Sequence, residues 1–119
     1  MKRGEVRWYT FRSPDRCRPV LLLTRDTSIV VLNALTVAPI TSTIRGVPSE
    51  VLLGENDGLR NACVANLHSL QTVPKTNLGS VITTLSRERM REIEGALGFS
   101  LGFEGLRYQV SGLTHASLT

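Results

Sequence analysis

The hydrophobic period of this chain changes once, at Ser86. Downstream, Met90, Ile93, Leu97 and Leu101 recur at steps of three and four, which places them on one face of an α-helix. Ser86 is a favourable N-cap, Glu88 lies in the first turn where the helix dipole favours a carboxylate, and Gly102 supplies a stop. Gly95 and Gly98 weaken such a helix by up to about 1 kcal/mol each relative to alanine. The spacing predicts one terminal helix with its stripe packed inward and Arg87, Arg89 and Arg91 on a solvated face. Upstream of Ser86 the apolar residues come in short runs divided by turn residues, so that part must be assembled from short strands.

Gly4 to Phe11 alternates Val6 and Trp8 with Glu5 and Arg7, the pattern of a half-buried strand. Trp8 reads as a core or groove-wall aromatic. Further strands are expected over Pro19 to Thr24, over the run holding Leu35, Val37, Ala38 and Ile40, over Val51 to Leu53, and over Val81 to Leu85. Ala62 to Leu67 and Ser69 to Val73 read together as one bent strand. Thr24 to Ser28 and Gly54 to Asn61 read as turns, and Lys75 to Leu78 as a connector. Many short strands followed by one helix give a mainly β fold, closed as a small barrel or a curled sheet. A chain of 119 residues suits one domain, and 41% hydrophobic against 20% charged residues marks it as globular. The domain is expected over 1–102. Residues 103–119, with Tyr108 and His115 but no period, read as an extension.

Several classes are disfavoured at once. No apolar run approaches the roughly 18 residues that would cross a bilayer, and no apolar segment follows the basic start, so neither a membrane nor a signal peptide is expected. Cys17 and Cys63 have no metal-ligand spacing, which suits a reduced, cytoplasmic protein. No glycine-rich phosphate loop or Cys/His cluster occurs, and His68 and His115 lie far apart. The net charge of +4 is almost wholly arginine, whose planar fork suits phosphate.

The chemistry concentrates between Ala34 and Leu52. A buried-type strand ends in three hydroxyls, Thr41, Ser42 and Thr43, then Arg45, before Gly46 and Pro48 turn the chain. The same residues would suit an ordinary turn. What favours a functional rim is Arg18, at the entrance of another strand. RNA cleavage can be run with such groups alone. The substrate's 2′-hydroxyl is the nucleophile, so the protein need only align it, move protons and stabilise charge on the phosphorane. Spacing alone does not bring Arg18 and Thr41 together.

Lys2-Arg-Gly-Glu-Val-Arg-Trp8, Arg18-Pro-Val-Leu-Leu-Leu-Thr-Arg-Asp26 and Val37-Ala-Pro-Ile-Thr-Ser-Thr-Ile-Arg-Gly-Val-Pro-Ser-Glu-Val51 follow one another in this chain. Val64-Ala-Asn-Leu67, Leu70-Gln-Thr-Val73, Leu78-Gly79 and Leu85-Ser86 continue the series. In this order the chain resembles the MazF/PemK family of toxin ribonucleases. The resemblance implies an SH3-like small barrel of the CcdB/MazF type with a C-terminal helix, acting as a homodimer. It implies cofactor-free, sequence-selective cleavage of single-stranded RNA and a cognate antitoxin partner. The family's catalytic arginine falls on Arg18 and its catalytic threonine on Thr41. The loop before Arg18 lacks the Gly-Ser-Glu-Gln stretch common in relatives; either Asp15 replaces its acid or the general base is another residue. His68 stands where relatives often carry Asp.

Two other functions fit the same barrel. One is a CcdB-like toxin that binds and poisons DNA gyrase, which would not need the Arg18–Thr41 pair. The other is a non-catalytic RNA-binding barrel, against which the scarcity of exposed aromatics counts. For the nuclease, Ser42, Thr43, Arg45 and Gln71 are the expected substrate contacts. The loop cations Arg3, Arg12, Arg16, Arg45 and Lys75 are expected to meet phosphate, and the helix cations are not.

Overall fold

Seven strands precede the long helix in the structure, a computed structural model that describes residues 1–10 and 17–103. They are β1 (Glu5–Thr10), β2 (Cys17–Leu22), β3 (Ala34–Thr41), β4 (Glu50–Leu53), β5 (Cys63–Asn66), β6 (Gln71–Pro74) and β7 (Leu78–Thr84). A short helix, α1 (Asp26–Ile29), joins β2 to β3, and α2 (Arg87–Leu101) ends the described chain. The strands form one antiparallel sheet in the order β4-β5-β3-β2-β1-β7, with β6 also on β3. The mainly β architecture with one terminal helix is as expected.

Alternation along the strands gives the sheet two apolar faces. Val6, Leu21, Ala38, Ile40, Val51, Leu53 and Ala65 share one cluster with Ile93 and Ala96 of α2. Tyr9, Val20, Leu22, Leu35, Val37 and Val73 share the other with Ile29 of α1. The consecutive residues Val20, Leu21 and Leu22 are all buried because they feed alternate faces. Removing such a side chain, as in Leu21→Ala, costs about 2–5 kcal/mol.

The segment expected to be one bent strand is instead two. β5 pairs with Ile40 and Thr41, while β6 pairs with Ala34 to Val37, so both lie along one edge of the eight-residue β3. The Thr24 to Ser28 turn tightens into α1, which carries Ile29 onto the second cluster. Its Asp26 carboxylate accepts the Arg3 N–H at 2.7 Å. β7 starts three residues earlier than expected, where Leu78 pairs with Tyr9. Within Gly54 to Asn61 lies a single 3₁₀ turn, Glu55–Asp57.

α2 begins and ends as its sequence suggests. The Ser86 hydroxyl accepts the Arg89 N–H at 3.1 Å, and Gly102 closes the helix at φ 79°, a conformation open to glycine. The apolar stripe is only partly used. Ile93 and Ala96 are buried and Met90 and Leu97 half-buried, but Leu101 is exposed at the helix end. Arg89 departs from the solvated face expected of it, being paired with the nearly buried Asp57. No helix among the described residues is long and apolar enough to cross a membrane.

Candidate active site

Arg18 and Thr41 are set by the pairing of β2 with β3. The ladder runs Leu22↔Val37, Leu21↔Ala38, Val20↔Pro39. Carried two residues further in the same register, it brings Arg18 level with Thr41. Opposed residues of an antiparallel pair point to the same face, with Cβ atoms about 5 Å apart. That face is the α1 side: Arg18 is in step with Val20 and Leu22, and Thr41 with Leu35 and Val37. On its other edge Arg18 is paired with Tyr9 of β1, and Thr41 with Val64 of β5.

Gln71 comes to the same face. It is in step with Val73 and opposite Val37, four residues from Thr41 along β3. At about 3.3 Å per residue the separation is roughly 13 Å, so Gln71 would meet a different part of a ligand. Ser42, Thr43 and Arg45 lie in the exposed loop after β3. The Thr41 hydroxyl donates to the Thr43 carbonyl in a long contact of 3.4 Å, so it is held only weakly.

The cations sort unequally. Arg18 and Arg45 are exposed and form no ion pair among the described residues. Lys75 is not available in the same way, since its ammonium donates to the carbonyls of Ile29 (2.6 Å) and Leu32 (3.3 Å) and closes the end of α1. Arg3 donates from Nε to the Leu23 carbonyl at 2.8 Å. Arg7 shares the Arg18 face but is bound to Glu5 at 2.8 Å and to the Gly79 carbonyl. Burial pushes the Glu5 carboxyl up, but the Arg7 hydrogen bond, the Lys2 N–H and the Arg7 charge outweigh it and hold the group below its ordinary value. Arg12, Asp15, Arg16, Tyr108 and His115 lie outside the described residues.

Two features next to this site carried no sequence expectation. One is Glu50, whose Oε1 accepts the backbone N–H groups of both Arg45 (3.0 Å) and Gly46 (2.9 Å). Its place four residues after a turn glycine was the available signal. The other is the hydrogen bond between the buried Ser49 Oγ and His68 Nδ1 at 2.5 Å. The backbone N–H of His68 also donates to Asn66 Oδ1, which ties the turn after β5 to the end of its own strand. Glu50 and Asn66 share the Arg18 side: they pair with each other, and both are out of step with Val51 and Ala65 of the α2-side cluster.

Elsewhere, an open depression lined by Asn56, Asp57, Arg60 and Arg89 includes neither Arg18 nor Thr41. Among the described residues no three His, Cys, Asp or Glu side chains gather into a metal-binding group.

The fold and the sequence have clear relatives. Endoribonuclease MazF3 of Mycobacterium tuberculosis is 38% identical over 84 residues, covering 71% of this chain and 82% of that protein. Probable endoribonuclease MazF5 of the same organism is 41% identical over 96 residues, 80% of this chain and 87% of its own. The solved structure of Mycobacterium tuberculosis toxin MazF-mt6 superposes with a TM-score of 0.75 at 33% identity, over 82% of this chain and 96% of that one. An endoribonuclease in complex with its cognate antitoxin from a mycobacterial species shares the fold, with a TM-score of 0.76. The family model for PemK-like, MazF-like toxins of type II toxin–antitoxin systems matches residues 2–101, and the chain belongs to that family.

Proposed function

We propose that this protein is the toxin of a type II toxin–antitoxin pair and an endoribonuclease that cuts single-stranded RNA between Arg18 and Thr41. The 2′-oxygen of the RNA attacks the adjacent phosphorus, forming one P–O bond as the P–O5′ bond breaks. The 2′-proton passes to a base and a proton is delivered to the 5′-oxygen. The products are a 2′,3′-cyclic phosphate, or the 3′-phosphate after hydrolysis, and a 5′-hydroxyl. Arg18 supplies two parallel N–H donors to the equatorial oxygens of the phosphorane, where charge accumulates. Thr41 supplies a short hydroxyl donor whose ground-state bond to Thr43 is weak enough to give up. Ser42, Thr43 and Arg45 receive the neighbouring phosphates, and Gln71 a base edge, since its amide both donates and accepts.

The observation that carries this reading is the β2–β3 ladder from Leu22↔Val37 to Val20↔Pro39, whose register continued by two residues would bring Arg18 level with Thr41. The relatives are named endoribonucleases, which favours cleavage over gyrase poisoning or RNA binding alone. An antitoxin that covers this face, a homodimeric toxin and a cytoplasmic location complete the proposal. So does a 1–102 domain with 103–119 as an extension.

Incubating the protein with a long single-stranded RNA in EDTA, then mapping the ends, tests it. Arg18→Ala and Thr41→Ala should each slow cleavage at least about a hundredfold, and Arg18→Lys should also lose much of the rate. Folded variants with near-normal cleavage, or a requirement for added metal, would rule the mechanism out.

A further inference from the structure

We propose that Glu50 is a positioning residue for RNA cleavage, fixing the loop that follows Thr41 through the reach of its carboxylate and not through its charge. The inference rests on the nuclease reading above. Thr41 is the last residue of β3, and Ser42, Thr43 and Arg45 follow it in a loop without regular structure. Among the described residues two side chains bind that loop's backbone between Ser42 and Gly46. One is Thr41 itself, through its 3.4 Å contact with Thr43. The other is Glu50, whose Oε1 takes both the Arg45 and Gly46 N–H groups. The Glu50 N–H in turn donates to the Val47 carbonyl at 3.0 Å, a tight turn that sets the carboxylate beneath the loop.

The other oxygen, Oε2, is shut away from solvent and has no hydrogen-bond partner among the described residues. Leaving a carboxylate oxygen buried and unpaired is unfavourable, so stability alone does not account for glutamate here. A local cost of this kind is typical of residues held for function. A carboxylate beside a phosphate groove also repels the ligand, which is a second cost. What glutamate provides is length: from the start of β4 it reaches two consecutive amides and fixes their direction. A loop so held keeps the Thr41 hydroxyl and the Arg45 guanidinium in step with Arg18 on the neighbouring strand. Small displacements of such groups are costly in rate.

Reach and charge are separated by two variants. Glu50→Asp keeps the charge and loses one methylene, while Glu50→Gln keeps an acceptor oxygen at full length and loses the charge. Single-turnover cleavage of a defined RNA should fall at least about tenfold in Glu50→Asp and stay within about threefold in Glu50→Gln. Binding of the same RNA with a 2′-deoxy substitution at the cleavage site should change less than about threefold in either variant. Backbone amide exchange at Arg45 and Gly46 should speed up in Glu50→Asp only. Equal activity in both variants, or a loss in Glu50→Gln that exceeds that in Glu50→Asp, would overturn the assignment. A rate loss matched by an equal loss of 2′-deoxy RNA binding would overturn it as well. An inactive wild-type protein, by contrast, would overturn the nuclease reading itself and with it this use of Glu50.

Discussion

Arg89 Nε donates to Asp57 Oδ1 at 2.8 Å, and this pair ties α2 to the loop between β4 and β5. Asp57 is more than a surface partner: its other oxygen accepts the Gly54 N–H at 2.9 Å, and its carbonyl accepts the Thr83 hydroxyl at 2.9 Å. One residue therefore joins the loop, the edge strand β7 and the helix. Burial pushes the Asp57 carboxyl up, but hydrogen bonds from Arg89 and Gly54 and the Arg89 charge hold it below its ordinary value. The same partner raises Arg89.

The sign of the pH effect follows. A carboxyl whose folded value is depressed binds fewer protons folded than unfolded. Its stabilisation is fully present above the unfolded value, near 3.8, and is lost as pH falls through the folded one. Asp57→Asn should lower stability at neutral pH by about 1.5–3 kcal/mol, the worth of hydrogen bonds to a charged group. The deficit should shrink towards about pH 2. Urea unfolding of both proteins across that range checks it, and a deficit independent of pH would mean the carboxylate charge is not what matters.

Gly58 follows this residue directly, at φ 88°. A Cβ there would stand 2.8 Å from the Thr83 Cβ and closer still to its hydroxyl, the group bound to Asp57. Gly58→Ala thus combines backbone strain with a clash against the Thr83 Cβ, which no rotation about χ1 can move. It should cost at least about 2 kcal/mol. Gly46→Ala, at φ 73° with nothing within 4 Å, carries the strain alone and should cost about half as much. Thermal unfolding of the two variants should show the larger drop for Gly58.

Much of this architecture was legible because each strand feeds a recognisable apolar pattern, and α2 is framed by Ser86 and Gly102. Arg18 and Thr41 were legible as a pair only through the family resemblance, because register is a long-range property that spacing does not contain. The same reason hid the split of β5 and β6, whose pairing depends on the length of β3. It also hid the second roles of charged residues. Lys75 looked like a phosphate contact and instead caps α1, while Arg89 looked solvated and instead meets Asp57. Neither partner lies within 30 residues of its cation, so no local pattern could announce it.

The two thiols should separate cleanly. Cys17 is exposed at the start of β2, with its sulfur 3.5 Å from the Thr10 hydroxyl. Cys63 is buried, and its thiol is pushed up by that burial and by the Asp57 charge nearby. Since the thiolate is the reactive form, a thiol reagent near neutral pH should label Cys17 quickly and Cys63 only after unfolding. Cys17→Ser should abolish the fast phase. Two fast thiols in the native protein would contradict the packing around β5.

Salt dependence offers the sharpest test of which cations hold RNA. Single-strand affinity falls with salt at a log–log slope of about −0.7 per phosphate neutralised. Arg45 is exposed, beside Thr43, and has no ion pair among the described residues, so Arg45→Ala should flatten the slope by about that amount. Lys75 already spends its ammonium on the Ile29 and Leu32 carbonyls. Lys75→Met should therefore loosen α1 and lower stability while leaving the slope nearly unchanged. Position in the chain would have grouped the two cations together; their hydrogen bonds divide them. Binding of an uncleavable RNA to each variant, titrated with salt, measures both slopes. A Lys75 change as large as that of Arg45 would extend the RNA across α1 as well as the Thr41 loop and overturn this division of the cations.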